Sequence, residues 1–125
     1  MRLLLDTHVF LWCIKNDRRV SKSARAKITH ATDVYVSSAS IWEATIKIKL
    51  KKLDVNIDQM VESIVESGFL ELPITAQHAA AISHLPDIHR DPFDRLLIAQ
   101  AMVEPITFLS ADADLKNYSK LIEVI

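Results

Sequence analysis

The chain has 125 residues, a formal net charge of −1, half of its residues hydrophobic and a quarter charged. That length suits one domain with an ordinary core, spanning residues 1–125, and the balance with a single glycine excludes disordered, low-complexity and collagen-like classes. The near-neutral charge argues against a globally basic nucleic-acid binder, and a lone cysteine, Cys13, makes an internal disulfide impossible and favours an intracellular home.

The first apolar stretch, residues 3–5, reads as a short buried strand. It is too short for a secretion signal, and no segment approaches the roughly 20 apolar residues of a membrane span, so the expected location is the cytoplasm, with no membrane partner. Asp6 follows where strand gives way to helix. Thr7 is a candidate N-cap for a helix over 8–14, in which Cys13 reads as a core thiol. Ser21 can cap a second helix to about residue 31, and 34–36 forms a second, β-branched strand.

Ser40-Ile41-Trp42-Glu43 has the spacing of a capping box and opens a helix toward Leu50. Residues 46–51 alternate with a period of two, as a strand would; the cap decides for helix. On that helix Ile46, Lys47 and Leu50 share the side of Glu43, which places the carboxylate beside a buried face. A helix over 57–67 ends at Gly68, in the position of a left-handed C-terminal residue. Residues 69–72 read as a strand, and Thr75 caps a helix over 76–85 that Pro86 stops. Asp91 is an N-cap and Pro92 a first helical residue, so 93–103 is a helix, with Leu97, Ile98 and Ala101 on the side of Asp94. A strand over 106–109, a helical turn over 113–117 and a last strand over 121–124 complete the chain.

Continuous apolar strands separated by helices predict an α/β fold: a mostly parallel central sheet covered on both faces, in three α/β/α layers. Ligands of such sheets bind beyond the carboxyl ends of the strands, where Asp6 and Asp112 both fall.

Four acids, Asp6, Glu43, Asp94 and Asp112, stand at the edges of apolar stretches in this scheme. Each taken alone could serve only to cap a helix or to complement its dipole. Together they present several carboxylates to one end of a sheet, where burial without a cation is costly. Oxygen-only ligands suit Mg²⁺ or Mn²⁺, whereas zinc is disfavoured because no Cys or His pair has ligand spacing. One glycine cannot build a phosphate loop, and no nucleophile elbow is present. Metal-assisted hydrolysis remains. Two basic clusters, Lys47 with Lys49, Lys51 and Lys52, and Arg18, Arg19, Lys22, Arg25 and Lys27, could meet phosphates or be solvated helix faces.

Leu3-Leu4-Leu5-Asp6-Thr7-His8, Ser38-Ala39-Ser40-Ile41-Trp42-Glu43, His89-Arg90-Asp91-Pro92-Phe93-Asp94-Arg95 with the aliphatic run after it, and Ser110-Ala111-Asp112 resemble, in order, a PIN domain of the VapC type. Such domains are the toxin half of toxin-antitoxin pairs. The resemblance implies that Asp6, Glu43, Asp94 and Asp112 form the acidic quartet that binds Mg²⁺ or Mn²⁺ and activates water for RNA cleavage. It further implies auxiliary roles for Thr7, Ser110 and Asp91, with Ser110 where the family usually has Thr. Lys51 replaces a glycine common in that family. Lys47, Lys49, Arg95 and His89 are the candidate RNA contacts. The partners implied are RNA, a second copy of the chain in a homodimer, and a small antitoxin protein, for which Phe10, Trp12 and Trp42 are candidate contacts if they do not pack in the core. Two rivals stand beside this reading: a non-catalytic RNA- or protein-binding module on the same fold, and a magnesium-dependent phosphatase using Asp6 as nucleophile. The phosphatase chemistry wants a second aspartate two residues on, where His8 sits.

Overall fold

The computed structural model describes residues 1–87 and 90–125. Strands β1 (Arg2–Leu5), β2 (Asp33–Ser37), β3 (Leu70–Leu72), β4 (Thr107–Ser110) and β5 (Ile122–Val124) form one sheet in the order β3-β2-β1-β4-β5. All four pairings are parallel. The expected mostly parallel sheet is therefore wholly parallel among the described residues.

Helices α1 (Thr7–Ile14), α2 (Lys22–His30), α3 (Ser38–Lys49), α4 (Ile57–Glu66), α5 (Ala76–Ala81) and α6 (Pro92–Val103) connect the strands. The central strand β1 is buried on both faces, as a continuous Leu run requires. Leu4 joins a core built mainly from α6, with Leu97, Ile98, Phe108 and Leu115, whereas Leu3 and Leu5 join Val9, Phe10, Met60 and Ile64 from α1 and α4. Alternate residues of one strand thus bind two helical layers to the sheet, giving the three-layer α/β/α arrangement. Helix α3 lies between the layers, contributing Ala39 to one core and Ala44 to the other.

Several local expectations shift. Asp6, not Thr7, caps α1: its carboxylate accepts the His8 N–H, and Thr7 is the first helical residue. Helix α3 starts at Ser38 under a Ser37 cap, so Ser40 lies inside the helix and the Ser40–Glu43 capping box does not form. A run of serines at 37, 38 and 40 offers several caps, and the strand's end selects the earliest. The α5 helix stops at Ala81 and tightens into a 3-10 turn, Ile82–His84. Gly68 does close the turn after α4 in the left-handed region, at φ 76°. Lys51 takes a similar conformation at φ 59°, so the turn for which glycine is common forms with a lysine in its place.

Among the described residues no helix is long and apolar enough to cross a membrane. Cys13 is half-buried beside the α1–α4 core, and burial pushes its thiol up despite the nearby Arg25, which suits an inert packing residue.

Candidate active site

The strand order reverses direction between β1 and β4, and the crevice at such a switch point opens at the carboxyl ends of both strands. Asp6 leaves β1 there and is 5% exposed. Its Oδ2 accepts a hydrogen bond from Ser110 Oγ, at the end of β4, at 2.6 Å. The same hydroxyl accepts the Asp112 N–H at 3.0 Å, which fixes the start of the following 3-10 turn, Ala113–Tyr118. One serine therefore ties together the two strand ends that carry Asp6 and Asp112. Desolvation raises the Asp6 carboxyl above its ordinary value; the hydrogen bonds from Ser110 and His8 work against that rise, and the field of Glu43 adds to it.

Glu43, on the second turn of α3, is 3% exposed. Its Oε2 accepts from Lys47 Nζ at 2.6 Å, one helical turn on. Its Oε1 is buried with no hydrogen-bond partner, the single such side-chain atom among the described residues. Burial opposes the charge on Lys47, yet the hydrogen bond with Glu43 and the fields of Glu43, Asp91 and Asp94 outweigh it and hold the ammonium above its ordinary value. Lys47 thus feels the charges of Glu43, Asp91 and Asp94.

Asp91 caps α6, accepting the N–H groups of Phe93 and Asp94. Asp94 lies partly buried in the first turn of α6, within reach of the Lys47 field. Asp112 is partly buried, and its Oδ1 accepts the Asp114 N–H at 2.9 Å, so this acid caps its turn as well as flanking the crevice. Thr7 donates from Oγ1 to Ser40 Oγ at 2.8 Å in a fully buried contact that joins α1 to α3 behind the acids. Ser40 was not among the candidate residues; its sequence signals were its place three residues before Glu43 and within the Ser38–Glu43 stretch.

A polar tie through the core sets α3 against α6. Ser37, at the end of β2, donates to Gln100 Oε1 at 2.6 Å while its Oγ accepts the Ala39 N–H. Next to it, buried His78 accepts the Thr75 N–H at Nδ1, which leaves the proton on Nε2, donated to Glu104 Oε2 at 2.6 Å. Glu43 and Asp94 sit on the two helices so joined.

Other candidates divide. Lys49 is exposed. Arg95 is not an open cation: its guanidinium donates to the carbonyl oxygens of Pro86 and Ile82 and to the Tyr118 hydroxyl, with the side chain 15% exposed, so it braces the segment before α6. His89 lies outside the described residues. The side of α3 that carries Ile46 and Leu50 faces outward, not into a core: Trp42 is 56%, Ile46 38% and Leu50 58% exposed. Phe10 is a core residue, Trp12 is half-buried under the Arg19 guanidinium, and Trp42 stands edge-on to Phe93. Glu43 is instead buried with Ala39, Ser40 and Ala44.

The donor chemistry fits a hard divalent ion: oxygens only, with one buried carboxylate oxygen orphaned and a second carboxylate desolvated. Among the described residues no three His, Cys, Asp or Glu side chains stand ready to hold an ion as they are, and the cation at Glu43 is Lys47.

Comparison with known families matches the PIN domain over residues 3–121. The chain belongs to the PIN domain family. Among its relatives, this PIN domain is 28% identical to Ribonuclease VapC22 of Mycobacterium tuberculosis, over 93% of this chain and 91% of that protein. Its fold resembles VapBC2 from Rickettsia felis, solved bound to a promoter DNA fragment, with a TM-score of 0.72 at 15% identity over 99% of this chain and 98% of that one. A toxin-antitoxin complex from Klebsiella pneumoniae aligns with a TM-score of 0.67 at 16% identity, covering 98% and 96%. The DNA-bound VapBC of Salmonella typhimurium gives 0.67 at 14% identity over 99% and 98%.

Proposed function

We propose that this PIN domain is an Mg²⁺- or Mn²⁺-dependent endoribonuclease, the toxin of a toxin-antitoxin pair, acting in the cytoplasm. The observation that carries the reading is the orphaned, buried Oε1 of Glu43, on a carboxylate within electrostatic reach of the desolvated carboxylate of Asp6. A carboxylate oxygen so buried with no donor is costly unless a cation completes it.

Asp6, Glu43, Asp94 and Asp112 would hold the ion. Once bound, it would supply Lewis-acid chemistry, activating a water and stabilising charge on the phosphate. Ser110 keeps the Asp6 carboxylate oriented toward the crevice and fixes the backbone of Asp112, and Asp91 sets the first turn of α6 from which Asp94 projects. Lys47, on the Glu43 face of α3, and the exposed Lys49, on another face of the same helix, are the cations that can attract a phosphate backbone. The relatives named above as a ribonuclease and as toxin-antitoxin complexes support RNA as substrate and a small protein as inhibitor. The outward apolar stripe of Trp42, Ile46 and Leu50 beside the site suits such a partner. A second copy of the chain is the other partner, to be checked by light scattering.

The test is cleavage of structured RNA by the purified chain with Mg²⁺, Mn²⁺ or chelator, beside a phosphomonoester and beside Asp6→Asn and Asp94→Asn. Metal-dependent RNA cleavage, lost in both variants, is the expected result. Release from the monoester alone would point to a phosphatase, and RNA binding without turnover to a non-catalytic module.

A further inference from the structure

Glu43 is served unevenly. One oxygen is held by an ammonium at 2.6 Å and the other, equally enclosed, has nothing. An ordinary structural ion pair at this depth would satisfy both oxygens, because a half-paired buried carboxylate keeps much of its desolvation cost. Lys47 itself is about one-third exposed along its side chain, on a flexible four-carbon stem, so it can leave Glu43 without unfolding α3. It is also the cation that senses Asp91 and Asp94 on the opposite helix. A divalent ion completing Oε1 would share one carboxylate with an ammonium already at hydrogen-bonding distance from Oε2. Both cannot stay.

We propose that Lys47 is an exchangeable counter-ion of this site: it neutralises Glu43 in the metal-free protein and is displaced by the incoming divalent ion, which frees its ammonium for an anionic phosphodiester at the mouth of the crevice. This rests on the metal-dependent reading and adds a positioning residue to it. Lys47 thereby guards the acids against mutual repulsion before metal arrives and supplies a phosphate contact only afterwards. The ion and the substrate contact are coupled through one side chain, so metal binding and RNA binding should reinforce each other.

The experiment measures Mn²⁺ affinity by titration calorimetry without RNA, in the full-length protein, for wild type, Lys47→Met and Lys47→Arg, with Lys52→Met as a control for the loss of one positive charge from an exposed neighbour. Urea denaturation of each metal-free protein is run alongside. Lys47→Met is expected to bind Mn²⁺ about tenfold more tightly than wild type, equivalent to one pK unit of removed competition, and to be less stable without metal because Glu43 loses its partner. Lys47→Arg should retain wild-type metal-free stability, and Lys52→Met should shift Mn²⁺ affinity less than twofold. RNA binding by Lys47→Met, measured with Mn²⁺ saturating, should weaken. If wild type binds Mn²⁺ and Lys47→Met binds it no more tightly, the exchange is overturned while the metal site stands. An equal gain in Lys52→Met would likewise overturn it, since the effect would then be bulk charge. If neither wild type nor variant binds Mn²⁺, the metal-dependent reading itself falls and takes the exchange with it.

Discussion

Ser110 Oγ lies 2.6 Å from Asp6 Oδ2, joining residues 104 positions apart in the chain at the point where β4 and β1 both end. The contact is buried, and its hydroxyl has a second task in accepting the Asp112 N–H. Replacement by alanine leaves a buried carboxylate oxygen and a backbone N–H both short of a partner.

Ser110→Ala should therefore lose about 1–3 kcal/mol of stability in urea denaturation, the usual cost of stranding buried polar groups. Ser110→Thr keeps the hydroxyl and should lie within about 1 kcal/mol of wild type. Equal stability of the alanine variant would mean that the hydroxyl holds neither neighbour.

The Asp6 carboxyl, raised by burial, makes metal-free stability depend on pH. A raised folded-state value means that the native protein holds this proton more tightly than the unfolded chain, so the contribution of Asp6 is fully present below the unfolded value of 3.8 and is lost as pH rises through the raised folded value. Asp6→Asn removes this component. Comparing wild type with Asp6→Asn by denaturation across that window, in chelator, should show wild type losing ground as pH rises. A difference that does not change with pH would contradict the assignment.

The backbone of Lys51 sits in the left-handed region, where a side chain is strained by roughly 1–2 kcal/mol and glycine is not. Lys51→Gly should stabilise the chain by about 1 kcal/mol at most, because glycine also loses more freedom on folding. Calorimetric melting checks this, and a lower midpoint for the variant would show that Lys51 is held by contacts of its own.

Gln100 is a polar residue within the six consecutive buried positions of α6 from Leu96 to Ala101. Gln100→Leu keeps the volume but leaves the Ser37 hydroxyl without its acceptor, for a loss of about 1–3 kcal/mol. Because the tie sets α3 against α6, RNA cleavage should fall in turnover more than in substrate affinity. Unchanged cleavage at full stability would separate this tie from the site.

The layers and the start of α6 were legible because both depend on local pattern. Continuous Leu and Val runs mark strands buried on two faces, and Asp91-Pro92 states where α6 begins. Pattern fails where tertiary contacts choose among equivalent local options. Three serines precede Glu43, and Ser37 is the cap because β2 ends there, with its hydroxyl held by the Gln100 acceptor on α6. Asp6 and Thr7 are both good caps; Ser40 and Ser110 decide their roles from distant parts of the chain. The apolar side of α3 reads as buried by period, yet no element covers Ile46 or Leu50 within the described residues. Arg95 reads as a basic contact by type, and the carbonyl oxygens of Ile82 and Pro86 that claim it cannot be read from spacing. The Glu43–Lys47 pair lay in plain view at helical spacing. Its burial, and the orphaned oxygen beside it, did not.

The most direct measurement is the electron paramagnetic resonance of Mn²⁺ titrated into the metal-free protein, with Asp6→Asn, Glu43→Gln, Asp94→Asn and Asp112→Asn in parallel. Wild type is expected to remove the free-ion signal stoichiometrically and each variant, still folded by circular dichroism, to do so at least tenfold more weakly, one pK unit of lost interaction. Full retention of Mn²⁺ binding by all four folded variants, or no binding by wild type, would contradict that expectation.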